Sequence, residues 1–145
     1  MLILISGGEY DAAERYMDVT LLSDVDLDDD VMQEEIFGPL MPVVTVNSVD
    51  EAVDFINARE KPLSIYVYSE RAAVQEAFIA RTTSGGLTIN ECLLQLSVET
   101  LPFGGVGNSG MGSYHGKVHY PFLRVPFWGR IFYFFFSLLD PCNQE

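Results

Sequence analysis

Asp24, Asp26, Asp28, Asp30 and Glu35 fall at positions 1, 3, 5, 7 and 12 of the loop pattern that seats calcium on oxygen ligands, with Val31 at the apolar position 8. The sixth position, where such a loop turns sharply and takes glycine, is Asp29, and no amphipathic helix leads into Asp24. A solvated acidic loop is therefore the expectation, and no metal site is predicted. Glu91 and Cys92 juxtapose a carboxylate and a thiol, the ingredients of an activated nucleophile. Adjacent residues of an extended segment point to opposite sides, so Glu91 does not reach the sulfur, and Cys92 is expected to be a half-buried structural residue. His115 and His119 have no serine or cysteine placed for them to activate, and they read as loop residues. No residue of the chain is assigned a catalytic role.

Gly105-Val106-Gly107-Asn108-Ser109-Gly110 satisfies the G-x-G-x-x-G pattern of dinucleotide-binding turns. That pattern binds phosphate only where a strand enters and a helix leaves, so that the anion meets a helix N-terminus. Here Pro102 precedes the loop and Met111-Gly112-Ser113 follows it, a context that predicts no such helix.

Two segments carry a resemblance. Gln33-Glu34-Glu35-Ile36-Phe37-Gly38-Pro39 and Pro102-Phe103-Gly104-Gly105-Val106-Gly107-Asn108-Ser109-Gly110-Met111-Gly112 resemble, in wording and separation, two signatures of the aldehyde dehydrogenases. The wording around Arg15-Tyr16, Met32 to Pro39 and Ser84 to Gly86 is most similar to the class 3 branch, and the resemblance runs from about Gly7 to Lys117. It implies oxidation of an aldehyde to a carboxylic acid with NAD or NADP. The resemblance further implies that Glu35 accepts hydrogen bonds from the nicotinamide ribose, that Phe37 packs near the nicotinamide, and that Phe103 lines the substrate pocket. A carboxylate can accept two hydroxyl hydrogen bonds and an aromatic face can position a planar ring, so these roles suit the residue types. The alternative for the same residues is a solvated Glu34-Glu35 pair and a core Phe37. In the family the nucleophilic cysteine and the glutamate base lie upstream of every residue here. The chain is accordingly expected to be the C-terminal portion of the catalytic region and inactive by itself. Val19 stands where relatives usually carry proline.

The elements that would position these residues follow from periodicity and breakers. The apolar run in Met1 to Gly8 reads as a buried strand, which the resemblance implies ends at Gly7-Gly8; Asp11 to Asp18 reads as a polar connection, and Val19 to Leu22 as a short strand. Met41 to Val46 reads as a buried parallel strand. Ser48 predicts an N-cap with Glu51 as its capping-box partner, opening a helix that buries Ala52, Val53, Phe55 and Ile56. Lys61-Pro62 ends it; Leu63 to Tyr68 is a strand, Arg71 to Arg81 a helix, and Leu87 to Asn90 a strand after Gly85-Gly86. The alternation predicts an α/β fold with an open parallel sheet, part of the aldehyde dehydrogenase catalytic domain by resemblance, with the Asn90 end near any site.

Two domains are expected: 1–117, the partial catalytic domain, and 118–145, a divergent hydrophobic tail. The tail carries Trp128, Tyr133 and a run of phenylalanines with Arg124 and Arg130, too short and interrupted to predict a spanning helix. Residues 122–139 suit attachment to a membrane surface, and the alternative is appended sequence without function. Cys142-Asn143-Gln144-Glu145 lacks the aliphatic residues of a prenylation signal.

At 145 residues the chain is long enough for one real core and too short for a complete two-domain dehydrogenase. Hydrophobic residues make up 48% and aromatics 12%, a globular composition. A net charge of -13 argues against nucleic-acid partners. Two cysteines without metal spacing or partners predict a reducing, cytoplasmic setting. The N-terminal apolar run has no basic flank and does not read as a secretory leader. A second function class is a non-catalytic interaction module pairing with intact subunits or with a membrane.

Overall fold

The computed structural model describes residues 2–116 and the strand at Tyr133–Ser137. The chain divides into two compact units, Met1–Asn47 and Ser48–Glu145.

In the first unit β1 (Ile3–Ser6) precedes a small hairpin of β2 (Tyr10–Asp11) and β3 (Tyr16–Met17), in the stretch that the sequence presents as a polar connection. Asp11 nucleates its turn, accepting at Oδ1 from the N–H groups of Ala13 and Glu14 at 2.8 and 3.1 Å. β4 (Thr20–Ser23) is the centre of a mixed three-stranded sheet, antiparallel to β1 and parallel to β5 (Leu40–Pro42). Buried Thr20 locks the start of β4. Its hydroxyl accepts from the Gly8 N–H at 3.0 Å and donates to the Asp18 carbonyl at 2.9 Å. Gly7 makes this close approach feasible, because it lies at φ +82 and a Cβ would collide with the Val19 carbonyl oxygen.

Two expectations fail in this unit. β1 is a strand but not a buried one: Leu4 is 53% and Ile5 58% exposed. The unit contributes no α-helix among its described residues to cover its sheet. The strand after Gly38-Pro39 is parallel, as expected, but it ends at Pro42 instead of Val46 and stays half-exposed, with Met41 and Val43 on the surface. Proline has no N–H for a ladder, and one further bond, from the Val43 N–H to the Leu22 carbonyl at 2.7 Å, closes the pairing.

The second unit holds the core. Helix α1 (Val49–Asn57) starts at Ser48, whose Oγ accepts from the Glu51 N–H at 3.1 Å. It buries Ala52, Val53 and Ile56, whereas Phe55 stays half-buried beneath the Arg59 guanidinium, 4.7 Å from its ring centroid. β6 (Ser64–Tyr68) is the most buried strand, and helix α2 (Ala72–Arg81) turns Val74 and Phe78 inward. Thr82 closes α2 by donating its hydroxyl to the Phe78 carbonyl at 2.6 Å. Asn57 Nδ2 donates to the Arg81 carbonyl at 2.9 Å, and Arg81 pairs with Asp50, so the ends of the two helices are tied together.

β7 (Gly86–Ile89) runs parallel to β6 in the register Ser64↔Gly86 to Val67↔Ile89. On the other side of β6 lies β8 (Tyr133–Ser137), also parallel, giving the order β7-β6-β8. The single open parallel sheet expected from the alternation is thus divided. β5 belongs to the mixed sheet of the first unit, and the place beside β6 is taken by a segment from the C-terminal region. Periodicity identifies strands but not their neighbours, because pairing is a long-range choice.

Candidate functional site

In the first unit the acidic loop leads into a 3-10 turn at Asp30–Met32, followed by the Glu34-to-Pro39 run. The loop uses its carboxylates on itself: Asp29 Oδ2 accepts from the Asp26 N–H at 2.8 Å, and Asp26 Oδ1 from the Asp28 N–H at 3.4 Å. Gln33 Nε2 donates to the Leu27 carbonyl at 2.9 Å and binds the loop to the turn. Among the described residues no three carboxylate, imidazole or thiol groups converge as a metal centre requires.

Glu35 is half-buried while Glu34 is exposed, and no described residue donates a hydrogen bond to the Glu35 carboxylate. Phe37 is not a core residue. It is 80% exposed and sits at φ +43, a left-handed conformation that costs a non-glycine residue about 1–2 kcal/mol. A carboxylate with no donor among the described residues can accept hydroxyl hydrogen bonds, and the outward-held aromatic ring two residues on offers a face to a planar group.

The second unit carries Phe103 and the segments around it. β6 and β7 are clamped at their C-terminal ends by Asn90, and the chain then passes through a left-handed Leu93 at φ +64 into a 3-10 turn at Leu94–Leu96. Gln95 folds back from this turn onto the sheet. Its Nε2 donates to the Tyr66 hydroxyl at 2.7 Å and to Ser64 Oγ at 3.3 Å, and its Oε1 accepts from Thr88 Oγ1 at 3.4 Å. Alternation along β6 places Ser64, Tyr66 and Tyr68 on this loop-covered face and Ile65 and Val67 on the other. An open cleft of about 800 Å³ runs beside β7, lined by Ile79, Leu87, Ile89, Leu94, Gln95 and Val98.

Phe103 is half-buried and held by an antiparallel bridge to Tyr114, N–H to carbonyl in both directions at 2.8 and 2.9 Å, with the rings edge to face at 5.7 Å. The glycine-rich loop after it is compact. Ser109 is buried, its Oγ accepting from the Val106 N–H and donating to the Val106 carbonyl, both at 2.9 Å. Asn108 Nδ2 reaches Glu60 Oε1 at 2.9 Å. Only a 3-10 turn, Gly107–Ser109, follows the first glycines, so the loop presents no helix N-terminus for a phosphate, as its flanking residues predicted.

Cys92 is free and half-buried. Its neighbour is the Tyr68 hydroxyl: the hydrogen bond to Cys92, then desolvation and the nearby negative charge, push the tyrosine up to about 12. His115 lies in a loop at φ +66 with its ring edge to face against Tyr114 at 4.3 Å. His119, Cys142 and the proposed membrane segment at 122–139, apart from the β8 strand, lie outside the described residues.

Glu35 and Phe37 therefore belong to the first unit and Phe103 to the second. The Gln95 network and the Asn90 clamp were not anticipated from the sequence. The available signal was a lone glutamine among Leu93, Leu94 and Leu96, and a polar side chain in so apolar a stretch needs a partner.

The Aldehyde dehydrogenase family profile matches residues 2–123. The chain is 58% identical over 111 residues to the rat dimeric NADP-preferring aldehyde dehydrogenase, covering 77% of this chain and 24% of that protein. It is 56% identical over 111 residues to mouse aldehyde dehydrogenase family 3 member A2, covering 77% and 23%. Among solved structures, the substrate-bound state of Staphylococcus aureus AldH superposes with a TM-score of 0.76 at 50% identity, over 79% of this chain and 25% of that one. The chain spans about a quarter of the length of the relatives it matches.

Proposed function

The chain belongs to the aldehyde dehydrogenase family, with family 3 members among its relatives, and from that premise we propose that it is the C-terminal portion of an NAD(P)-dependent enzyme oxidising aldehydes to carboxylic acids. Glu35 would accept the ribose hydroxyls, Phe37 would support the nicotinamide ring, and Phe103 would line the aldehyde path. The cofactor, when bound, takes up the hydride; these residues bind and orient. The observation carrying the reading is the Glu35 carboxylate, without a donor among the described residues, beside the 80% exposed Phe37. The 145 residues taken alone carry no residue assigned as nucleophile or base, so they are expected to bind without turnover.

Isothermal titration of NAD and of NADP into the purified chain, with Glu35→Gln as the control, tests this. Saturable binding that the substitution removes is the expected result. No binding by either nucleotide, or equal binding by the variant, sinks the assignment of Glu35. Aldehyde-dependent reduction of the nucleotide by the chain alone would overturn the expected inactivity.

The exposed apolar strand β1 favours a second reading, a non-catalytic module that pairs with intact subunits. Light scattering of the chain mixed with an intact family 3 relative distinguishes the two, since only the module forms a mixed assembly. No helix among the described residues is long and apolar enough to cross a membrane. A cytoplasmic setting is the proposed location, with membrane-surface attachment through 122–139 tested by liposome flotation.

A further inference from the structure

We propose that Tyr133–Ser137 is an internal complementing strand, which closes the β6 edge of the family's parallel sheet and withholds it from strands of other polypeptides. The family profile ends at residue 123, yet β8 begins at Tyr133 and pairs with a strand that lies wholly inside the matched region. The pairing is a continuous parallel ladder of five positions, Ser64↔Tyr133, Ile65↔Phe134, Tyr66↔Phe135, Val67↔Phe136 and Tyr68↔Ser137. It covers every residue of β6, whereas the ladder on the β7 side covers Ser64 to Val67.

The physical need for a third strand is evident in the second unit. Without β8 the sheet would be a two-stranded parallel pair, an arrangement with marginal stability in water. Its more buried member, holding Ile65, Tyr66 and Val67 at 0 to 1% exposure, would become an edge. A bare edge of unpaired N–H and C=O groups beside apolar side chains is a template for any extended chain. β8 removes that template with a segment from the same polypeptide, so strand exchange at β6 requires β8 to leave first.

Hydrogen exchange read by mass spectrometry on the full chain tests this, comparing the parent with a Phe134→Pro plus Phe135→Pro variant. Successive residues of a strand direct their N–H groups to opposite sides, so the double substitution removes whichever amide faces β6. In the parent, amides of 64–68 and 133–137 are both expected to exchange at least about tenfold more slowly than an unfolded chain. In the variant the 133–137 amides and those of the 64–68 amides that face β8 lose that protection, while the β7-facing amides and α2 keep theirs. A synthetic peptide of residues 131–139, flanked by lysines for solubility, is expected to bind the variant and not the parent. Unprotected 133–137 amides in the parent, unchanged 64–68 protection in the variant, or equal peptide binding by both would overturn the proposal. Should the variant lose protection throughout, the parent's own 133–137 protection decides.

Discussion

Asn90 grips Ser69 with both ends of its side-chain amide: Oδ1 accepts from the Ser69 N–H at 2.8 Å, and Nδ2 donates to the Ser69 carbonyl at 3.1 Å. This two-point clamp joins the C-terminal ends of β6 and β7, the end of a parallel sheet from which site loops depart. Asn90 adopts φ +55, a left-handed conformation that asparagine tolerates better than most residues. The residue type thus serves both the clamp and the turn that launches the Leu93–Ser97 segment.

Asn90→Ala is expected to destabilise the chain by about 2 kcal/mol, combining two exposed hydrogen bonds with the left-handed backbone cost. Asn90→Gly loses the clamp but not the backbone preference, so its loss should be about 1 kcal/mol smaller. Urea midpoints of the two variants check this, and equal losses would show that the conformation carries no cost at this position.

Gly85 has no room for a side chain, because a Cβ would collide with the carbonyl oxygens of Gly104 and Leu63. Gly85→Ala should cost about 3 kcal/mol, since backbone on two sides must shift. Its neighbour Gly86 meets nothing within 4 Å, and Gly86→Ala is expected to be nearly neutral. Thermal unfolding of the pair gives the comparison, and similar melting temperatures would contradict the packing of the glycine-rich loop onto Gly85.

Gln95→Leu keeps the volume and removes the hydrogen bonds to Tyr66 and Ser64, both buried. A loss of about 2 kcal/mol is expected, with faster amide exchange over residues 93–97 and little change in α1. Protection that persists across the turn would show that the apolar residues alone hold it.

The raised Tyr68 group links stability to alkaline pH. Its folded value, about 12, lies above the ordinary tyrosine value of 10.0, so the folded chain holds this proton more tightly than the unfolded chain. The associated stability is complete below pH 10 and is lost as pH rises towards 12. Absorbance titration of the phenolates should show late ionisation of Tyr68, beside Tyr16, which its hydrogen bond to Asp18 also raises, and Cys92→Ala should bring only the Tyr68 step down towards the ordinary value. A titration curve unchanged by that substitution would remove Cys92 as the principal cause.

The helices were legible in the sequence because their signals are local. Ser48 with Glu51 sets the start of α1, the Ala52, Val53 and Ile56 spacing sets its buried face, and Gly85-Gly86 stops the stretch that holds α2. The absence of a helix after the glycine-rich loop was legible for the same reason, in Pro102 and in Met111-Gly112. Glu35, Phe37 and Phe103 were identified by wording alone, and wording carries no exposure. That Phe37 stands 80% exposed in a left-handed conformation follows from the turn it occupies, not from its residue type.

The sequence by itself determined the family, the two helices and the strands β1, β4, β6 and β7, because caps, breakers and apolar spacing act within a few residues; the β2–β3 hairpin, the end of β5 and β8 were not legible in it. The tertiary structure alone decided which strands are neighbours. It placed β5 beside β4 and set β8 against β6, and it left β1 exposed on a sheet to which its own unit brings no helix. Strand pairing joins residues far apart in the chain through backbone groups common to all residue types, so side-chain identity constrains it only weakly. Gln95 shows the same division: the sequence marks a polar residue among leucines, and only the fold supplies Tyr66, Ser64 and Thr88 as its partners.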